Sequence, residues 1–167
     1  MIYLLFGEMG VGKNYVGERM ARQLGCPFFD GDDAIPDWMM WKVERFKILS
    51  LGELDRYVSD HLIPAIWSHH EPGMDLVVVQ ALYRRRHRQM IVERSFGRMR
   101  LVVPVWLKPP SLFTHAKRLF DRKHGLKWLL YALVTKPFFQ KPDRGAVVIV
   151  NESGSDLAGQ IRRITGR

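Results

Sequence analysis

The sequence has 167 residues, which suits one domain with a sizeable core, and its 47% apolar content is ordinary for a soluble globular protein. A single cysteine, Cys26, excludes an intrachain disulfide and a zinc site built on several thiolates, and it favours a reducing, cytoplasmic setting. No signal peptide or membrane span is predicted, and the formal net charge of +9 indicates anionic partners without choosing among nucleotide, phosphorylated substrate, nucleic acid and membrane surface.

The chain opens with a pattern typical of phosphate binding. Residues 2–6 are a short apolar run bounded by glycine, which predicts a buried strand. Residues 7–14, GEMGVGKN, match the phosphate-loop pattern G-x-x-x-x-G-K-[ST] except at the last position, which is Asn14. Apolar residues then recur at helical spacing up to Leu24, and Gly25 is expected to end this helix. Strand, glycine loop and helix together form the context that supports a phosphate loop.

The remaining elements predict a parallel sheet. Further strands are predicted at 27–29, 76–79, 101–107 and 146–150, and Pro104 is expected to place its strand near an edge of the sheet. Helices are predicted at 38–49, 54–68 (with a kink or restart at Pro64), 82–93, 109–123, 128–134 and 155–164. Because strands alternate with helices, the predicted fold class is α/β, with a five-stranded parallel sheet and helices on both faces. We expect a single domain over residues 1–167.

The glycine loop predicts nucleotide binding. Backbone N–H groups from Gly10 to Lys13 can wrap a β-phosphate, and the following helix adds its positive end. Lys13 would bridge the β- and γ-phosphates. The alternative is a glycine-rich turn without a ligand. The predicted nucleotide-binding residues of this segment are Gly7, Met9, Gly10, Val11, Gly12, Lys13, Asn14 and Tyr15.

Polar residues near the loop predict a magnesium site and a proton acceptor. Asn14 stands where a hydroxyl normally ligates Mg²⁺, and its amide oxygen is also a hard ligand; loss of activity is the alternative. Asp30, Asp32 and Asp33 follow the second strand, whose carboxyl end faces the ligand crevice. One carboxylate can hold the water shell of Mg²⁺ and another can accept the proton of a substrate hydroxyl, unless these acids only cap the next helix.

Two basic segments have two interpretations each. The run RRRHR at 84–88 is either a solvated basic helix or a source of one or two arginines that face the crevice and bind an anion. Residues at about 119–142 suit a mobile lid that brings an arginine over the transferring phosphoryl group. The alternative for that segment is a basic amphipathic surface element.

The motifs resemble those of the P-loop small-molecule kinases, the group that holds gluconate kinase and shikimate kinase, with a nucleoside-monophosphate-kinase-like fold. GEMGVGKN followed by FFDGDD resembles the front end of that family, and LSLGELDRYVSDHLIPAI at 49–66 and VVVQALYRRRHRQ resemble gluconate-kinase segments. The resemblance implies a three-layer P-loop NTPase fold with a lid. Gln80 and Tyr83 stand where the gluconate kinases have serine and lysine.

The resemblance also implies a role for each matching residue. It gives the phosphates to Lys13, the magnesium shell to Asp30, the substrate hydroxyl to Asp32, the substrate to Arg56 and Arg84, adenine to Arg118 and the loop that begins at Asn151, and the lid arginine to Arg122.

These observations predict ATP-dependent phosphoryl transfer to a hydroxyl of a small, anionic metabolite, with Mg²⁺ as cofactor and Lys13, Asp32 and Arg122 as catalytic residues. One alternative is a nucleotide-binding sensor or partner protein that has lost its chemistry, which Asn14 supports. Another is a nucleic-acid kinase or binder, which the +9 charge and RRRHR support. The sequence predicts neither the identity of the acceptor nor the oligomeric state.

Overall fold

The computed structural model of the chain describes residues 1–96, 101–108, 111–121, 125–142, 146–152 and 155–166. Its strands are β1 (Ile2–Phe6), β2 (Phe28–Asp30), β3 (Leu76–Gln80), β4 (Val102–Lys108) and β5 (Val147–Val150). Its α-helices are α1 (Lys13–Leu24), α2 (Asp37–Glu44), α3 (Leu51–Tyr57), α4 (Ile63–His69), α5 (Arg85–Phe96), α6 (Leu112–Phe120), α7 (Gly125–Thr135) and α8 (Leu157–Thr165). Short 3₁₀ turns occupy Gly31–Ala34 and Lys136–Phe138, and a π-helical turn occupies Val58–Leu62.

The strands form one five-stranded parallel sheet in the order β2-β3-β1-β4-β5. Strand β1 is central and fully buried, and Ile2 pairs with Leu76 on one side and Val102 on the other. Such a strand has to be apolar on both faces, which explains the unbroken run that begins the chain. The predicted α/β fold is therefore confirmed, and β1 leads directly into the glycine loop.

Helices cover both faces of this sheet, as predicted. Leu4 and Phe6 of β1 pack in one core cluster together with residues of α2, α3, α4 and α5. Tyr3 and Leu5 point to the opposite face and pack in a second cluster with residues of α1 and α8. The alternation follows from the two-residue period of a strand.

Pro104 lies in an interior strand of the sheet. The expectation that its strand would lie near an edge was therefore wrong. Strand β4 lies between β1 and β5, and Pro104 is opposite Leu4 of β1. Pairing with β5 begins one residue later, at Val105. A residue without an N–H group is tolerated here because the neighbouring edge strand has not yet begun.

Two predicted helices on the α2–α4 side have different boundaries. The helix expected at 38–49 ends at Glu44, and residues 45–50 form a loop in which Phe46 has a left-handed backbone (φ 54°). The helix expected at 54–68 begins earlier because Ser50 and Glu53 form a capping box. It also contains the π-helical turn before Pro64, which lies in the first turn of α4 where its missing N–H is tolerated.

Other helix ends move for local reasons. The helix expected from residue 82 begins at Arg85, because the N–H groups of Leu82 and Tyr83 form turn hydrogen bonds to Gln80 and Ala81. Helix α6 starts after Ser111, whose hydroxyl accepts from the N–H of Thr114. Residues 109–110 and 122–124, at the two ends of the helix predicted there, lie outside the described residues.

Candidate active site

The loop between β1 and α1 has the backbone that its glycines predict. Gly10 (φ 81°) and Gly12 (φ 87°) lie in the left-handed region, which side chains with a Cβ atom rarely adopt. A Cβ atom on Gly7 would lie 2.7 Å from the carbonyl oxygen of Leu107, so β4 supports the loop from behind. Helix α1 begins at Lys13, and its N-terminus therefore faces the space that the loop encloses.

The ammonium group of Lys13 lies across the loop. Its Nζ donates to the carbonyl oxygens of Gly7 (3.3 Å) and Glu8 (3.0 Å). The positive charge thus sits inside the ring of backbone groups, where a bound anion would meet it.

Two distant side chains fix the peptide groups of Met9. The N–H of Met9 donates to the hydroxyl of Tyr83 over 3.1 Å, and Nε2 of His115 donates to the carbonyl oxygen of Met9 over 2.6 Å. Tyr83 follows β3 and His115 lies on α6, so the loop is held from two directions. Sequence reasoning missed both roles, because no spacing rule connects residues that are so far apart in the chain.

The predicted metal ligands lie side by side. The side-chain amide of Asn14 donates to Oδ2 of Asp30, while Oδ1 of Asp30 accepts from the N–H of Asp32 over 3.0 Å. Asp30 also caps the 3₁₀ turn that follows β2, whereas no side chain among the described residues caps the next helix, α2. One carboxylate therefore positions both the turn that carries Asp32 and the side chain of Asn14.

Asp32 is the acid with the most perturbed environment. Burial raises the pKa of its carboxyl group above the usual value, and the charge of Asp30 raises it further. Lys13 and a hydrogen bond from Gln80 act in the opposite direction without cancelling the effect. A carboxylate that is reluctant to stay charged is a better proton acceptor than an exposed one.

A buried tyrosine and glutamine support Asp32. The hydroxyl of Tyr57 donates to the carbonyl oxygen of Gly31 (2.7 Å) and accepts from Nε2 of Gln80 (2.6 Å). Burial raises the pKa of Tyr57, so its hydroxyl stays protonated and keeps donating. These two hydrogen bonds link β3 and α3 to the acidic turn. In the sequence, Gln80 differs from the family pattern, but no motif predicts its bond to Tyr57.

A large cavity of about 730 Å³ lies beside the loop, between α2, α3 and α7. Most of the predicted site residues line it: Met9, Gly10, Gly12, Lys13, Asn14, Tyr15, Asp32 and Arg84. Arg56 is not among the lining residues. Its guanidinium lies 5.7 Å from the centre of the Trp38 ring instead. The structure therefore brings the loop, Asp32 and Arg84 together but does not bring Arg56 to them.

A small cavity of about 570 Å³ lies on the other side of the loop and is lined by Gly12, Tyr15, Arg118 and Asn151, among others. The guanidinium of Arg118 donates to the carbonyl oxygens of Val11 (3.4 Å) and Asn151 (3.2 Å). The amide of Asn151 donates to the carbonyl oxygen of Val11 over 2.9 Å. Gly12 lines both cavities, so the loop separates a small cavity from a large one.

The basic run at 84–88 does not form a continuous basic surface. Arg84 lines the large cavity, with its guanidinium 5.1 Å from the centre of the Phe138 ring. His87 and Arg88 are buried. Arg86 forms an ion pair with Asp55 at 3.0 Å. Arg84 is thus an arginine of this run that faces the large cavity, and its binding of an anion stays a prediction.

His87 and Arg88 have structural partners. Nε2 of His87 lies 3.0 Å from Asp55, and burial lowers the pKa of His87 although Asp55 opposes this shift. Arg88 donates to the carbonyl oxygen of Leu82 over 2.7 Å and packs on the Phe6 ring at 4.5 Å.

Helix α7 belongs to the predicted lid and closes one side of the large cavity. Trp128, Tyr131 and Thr135 line it from this helix. Phe46 makes edge-to-face contacts with Trp128 (4.9 Å) and Tyr131 (5.8 Å), which join α7 to the loop at 45–50. Motion of this segment stays a prediction, and the predicted lid arginine, Arg122, lies outside the described residues.

The described residues show few signs of other kinds of site. Within these ranges, no group of three or more histidine, cysteine, aspartate or glutamate side chains could hold a metal ion. Among the helices that the structure describes, none is long and apolar enough to cross a membrane.

The fold and the loop together define a class. A parallel sheet whose central strand runs through a glycine-rich loop into a helix, beside carboxylates at the end of a neighbouring strand, is the arrangement of P-loop nucleotide-binding proteins.

The comparisons refine that class. The chain is similar in structure to a gluconokinase from Sinorhizobium meliloti 1021, with a TM-score of 0.73 and 20% identity over 98% of this chain and 89% of that chain. It is also similar to a sugar kinase from Janibacter sp. HTCC2649, with a TM-score of 0.75 and 16% identity over 99% and 92% of the two chains. A shikimate kinase from Acinetobacter baumannii, in complex with shikimate, matches with a TM-score of 0.58 and 18% identity over 98% and 89%.

Sequence comparison gives a shorter match. The profile of the shikimate kinase family matches residues 9–47, which run from the glycine loop into the loop after α2. No curated protein sequence matches the chain. The resemblance to the P-loop small-molecule kinases is thus confirmed at the level of the fold, and this fold supports small-molecule kinase activity.

Proposed function

We propose that the protein transfers the γ-phosphoryl group of ATP to a hydroxyl of a small molecule. The observation that supports this most directly is the juxtaposition of the glycine loop, Lys13 and the buried carboxylate of Asp32 in one large cavity. A phosphate-binding loop supplies the donor position and a carboxylate with a raised pKa supplies the proton acceptor.

ATP would use both cavities. Its base would lie in the small cavity against Arg118 and Asn151, and its phosphates would pass over Gly12 into the loop. Backbone N–H groups of Gly10, Val11 and Gly12, with the N-terminus of α1, would bind the phosphate oxygens. Lys13 would exchange its hydrogen bonds to loop carbonyls for bonds to the β- and γ-phosphates.

The residues beside the loop fit a magnesium ion. Asn14 and Asp30 are adjacent and offer an amide oxygen and a carboxylate, both hard donors. In phosphoryl-transfer sites Mg²⁺ takes one or two protein ligands and completes its shell with water and phosphate oxygens, so a larger protein cluster is not required. When bound there, Mg²⁺ would neutralise charge on the phosphates.

Asp32 would act on the acceptor. As the acceptor oxygen forms its bond to the γ-phosphorus, the bond from that phosphorus to the leaving oxygen of ADP breaks and the hydroxyl proton passes to Asp32. Gln80 would orient the carboxylate. Arg84 would contact the acceptor, and Arg122 would neutralise charge on the transferring group; a role for Arg56 requires that it leave Trp38.

The test begins with binding of the non-hydrolysable analogue AMP-PNP, measured by calorimetry with and without Mg²⁺, and continues with acceptor-dependent release of ADP. Lys13→Met should abolish ADP release, because the phosphates lose their principal cation. Lys117→Met, which removes an exposed lysine that lines neither cavity, is the matched control and should be unchanged. Absence of AMP-PNP binding to the wild type would overturn the proposal.

One observation favours a second candidate, a nucleotide-binding sensor. The side chain at the position of the usual magnesium-binding hydroxyl is Asn14, and its amide engages Asp30. A sensor would bind AMP-PNP with equal affinity in the presence and absence of Mg²⁺, and it would release no ADP with any acceptor.

A further inference from the structure

We propose that the acceptor is an alcohol with a largely apolar body rather than a sugar acid or another small polyhydroxylated anion. This inference rests on the proposed kinase function and names the substrate class for the same large cavity.

The part of the large cavity away from the glycine loop is apolar. Every lining residue between positions 35 and 58 is apolar except Tyr57, whose hydroxyl is bound to Gly31 and Gln80. These lining residues are Ile35, Met39, Met40, Val43, Ile48, Leu49, Leu51, Leu54 and Val58. They come from α2, the loop at 45–50 and α3, with Ile35 just before α2 and Val58 just after α3.

A second part of the lining is aromatic. Trp128 and Tyr131 of α7 line the cavity, and Phe138 follows them from the next turn. Phe46 makes edge-to-face contacts with Trp128 and Tyr131 and joins them to the loop at 45–50. An acceptor that contacts both parts of the lining would therefore meet methylene, methyl and ring groups.

Most polar groups of the large cavity have protein partners or adjoin the glycine loop; Tyr131 and Trp128 add a hydroxyl and an indole N–H on α7. Lys13, Asn14 and Asp32 adjoin the glycine loop, where the phosphates and the reacting hydroxyl would lie. Tyr83 accepts from Met9, and the hydroxyl of Thr135 donates to carbonyl oxygens of its own helix. A second hydroxyl deeper in the cavity would have few partners.

The cations that an anionic acceptor would need are scarce on these walls. Arg56 lies over Trp38 and does not line the large cavity, and His87 lies against Asp55. Arg84 does line it, with its guanidinium over the Phe138 ring. The Arg84 guanidinium can donate hydrogen bonds to a polar group of an acceptor, but the apolar side chains that line the cavity from α2 and α3 offer none to further hydroxyls.

This lining favours binding of an apolar acceptor over a polyhydroxylated one. Each hydroxyl that is buried without a partner lowers affinity by about tenfold or more. Apolar surface that leaves water on binding raises affinity. At about 730 Å³ the cavity is within the size range of small-molecule sites, so an acceptor of appreciable size can enter.

The experiment measures binding of three probe alcohols to the full chain saturated with AMP-PNP and Mg²⁺, by calorimetry and by tryptophan fluorescence. The probes are geraniol (an apolar alcohol), gluconate (a sugar acid) and glycerol (a small polar alcohol). We expect geraniol to bind at least about tenfold more tightly than either other probe. Equal or tighter binding of gluconate or glycerol, or no binding of geraniol, would overturn the inference.

Two substitutions test the apolar wall. Leu51→Gln and Ile48→Gln change side chains that line the large cavity but are 55% and 53% exposed, so folding should tolerate them. Each should weaken geraniol binding by about tenfold and leave AMP-PNP affinity unchanged. Leu133→Gln is the matched control, because Leu133 is 58% exposed on α7 and does not line the cavity. If geraniol binds equally well to all three variants, the wall is not its site and the inference fails.

Failure of this inference can be separated from failure of the proposed function. If AMP-PNP binds and gluconate or glycerol is phosphorylated while geraniol is ignored, the kinase proposal stands and the apolar acceptor is wrong. If geraniol binds as expected but no acceptor in the panel yields ADP, the apolar acceptor class is supported and the transfer reaction is not.

Discussion

The carboxylate of Asp32 affects both the stability of the fold and the proposed proton transfer. It is buried beside another acid, and both effects raise its pKa. Keeping it ionised therefore destabilises the folded chain, and the same tendency makes it a proton acceptor. Gln80 and Lys13 reduce the free-energy cost of ionising Asp32 without removing it.

Asp32→Asn should lower turnover by about 10²–10⁴-fold, because the proton acceptor is lost. The same variant should be more stable than the wild type at neutral pH. A carboxyl with a raised folded-state pKa contributes stability only while it is protonated, so its contribution is lost as the pH rises through that value. Thermal unfolding from pH 4 to pH 8 checks this. The stability gain of Asp32→Asn should shrink towards low pH, and a gain that grows at low pH would contradict the assignment.

Asn14 decides how the site uses magnesium. We expect Mg²⁺ to tighten AMP-PNP binding to the wild type, and Asn14→Ser to increase that effect about tenfold, because a hydroxyl ligates the ion directly and Asp30 is released from the amide. Calorimetry with and without Mg²⁺ measures both. If Mg²⁺ has no effect until serine is introduced, the sensor interpretation replaces the kinase.

For single residues, sequence motifs predicted those site residues that lie near one another in the chain. Lys13 followed from the loop pattern, and Asp30 and Asp32 from the end of a strand. Tyr83 and His115, which bind Met9, come from 74 and 106 residues further along. A contact over that distance depends on the complete packing of the chain, and no local pattern contains it.

Among the elements, the loop at 45–50 joins two sides of the large cavity, since Ile48 and Leu49 line it and Phe46 contacts α7. It begins where α2 ends, contains the left-handed Phe46 and ends at the capping box of Ser50 and Glu53. A left-handed backbone at a bulky residue costs about 1–3 kcal/mol, so the contacts of Phe46 with α7 have to compensate for it.

Ser50→Ala should destabilise the protein by about 1 kcal/mol, because the first turn of α3 loses its cap. The loop at 45–50 should loosen as well, and the acceptor KM should rise while the affinity for AMP-PNP stays the same. Urea unfolding and steady-state kinetics measure the two effects. Ser68→Ala, which removes a hydroxyl that caps no helix start, is the control. Equal destabilisation by both changes would argue against the capping role.

The error in the predicted extent of α2 has an identifiable cause. Apolar and basic residues continue at helical spacing beyond Glu44, so periodicity alone extended the helix to residue 49. Ser50 and Glu53 form a capping-box spacing that was readable in the sequence and marks the start of the next helix. The left-handed Phe46 had no such signal.

At the scale of the molecule, the basic run at 84–88 contributes less to a charged surface than the sequence suggests. The most concentrated basic run is split between the large cavity, the buried interior and an ion pair with Asp55. Alternation of strands and helices was sufficient to predict the sheet. The character of the cavity depends on which side chains converge from α2, α3 and α7, and the sequence does not contain that in any local form.

Nucleic-acid binding should therefore be weak and nonspecific. Affinity for a single-stranded oligonucleotide should fall at least about tenfold between 50 and 200 mM salt, because it depends on released counterions. Fluorescence anisotropy measures it. Tight binding that persists at 200 mM salt would favour the nucleic-acid alternative.

The two hydrogen bonds that hold Met9 have a consequence for how the site can change over evolution. Since the tip of the glycine loop is ordered by Tyr83 and His115, the entropy of arranging it is lost during folding and not when the ligand arrives. Substitution of His115, which lines neither cavity, would then change nucleotide affinity from outside the pocket. The affinity for ATP could therefore rise or fall during evolution while every residue that contacts the nucleotide stayed the same.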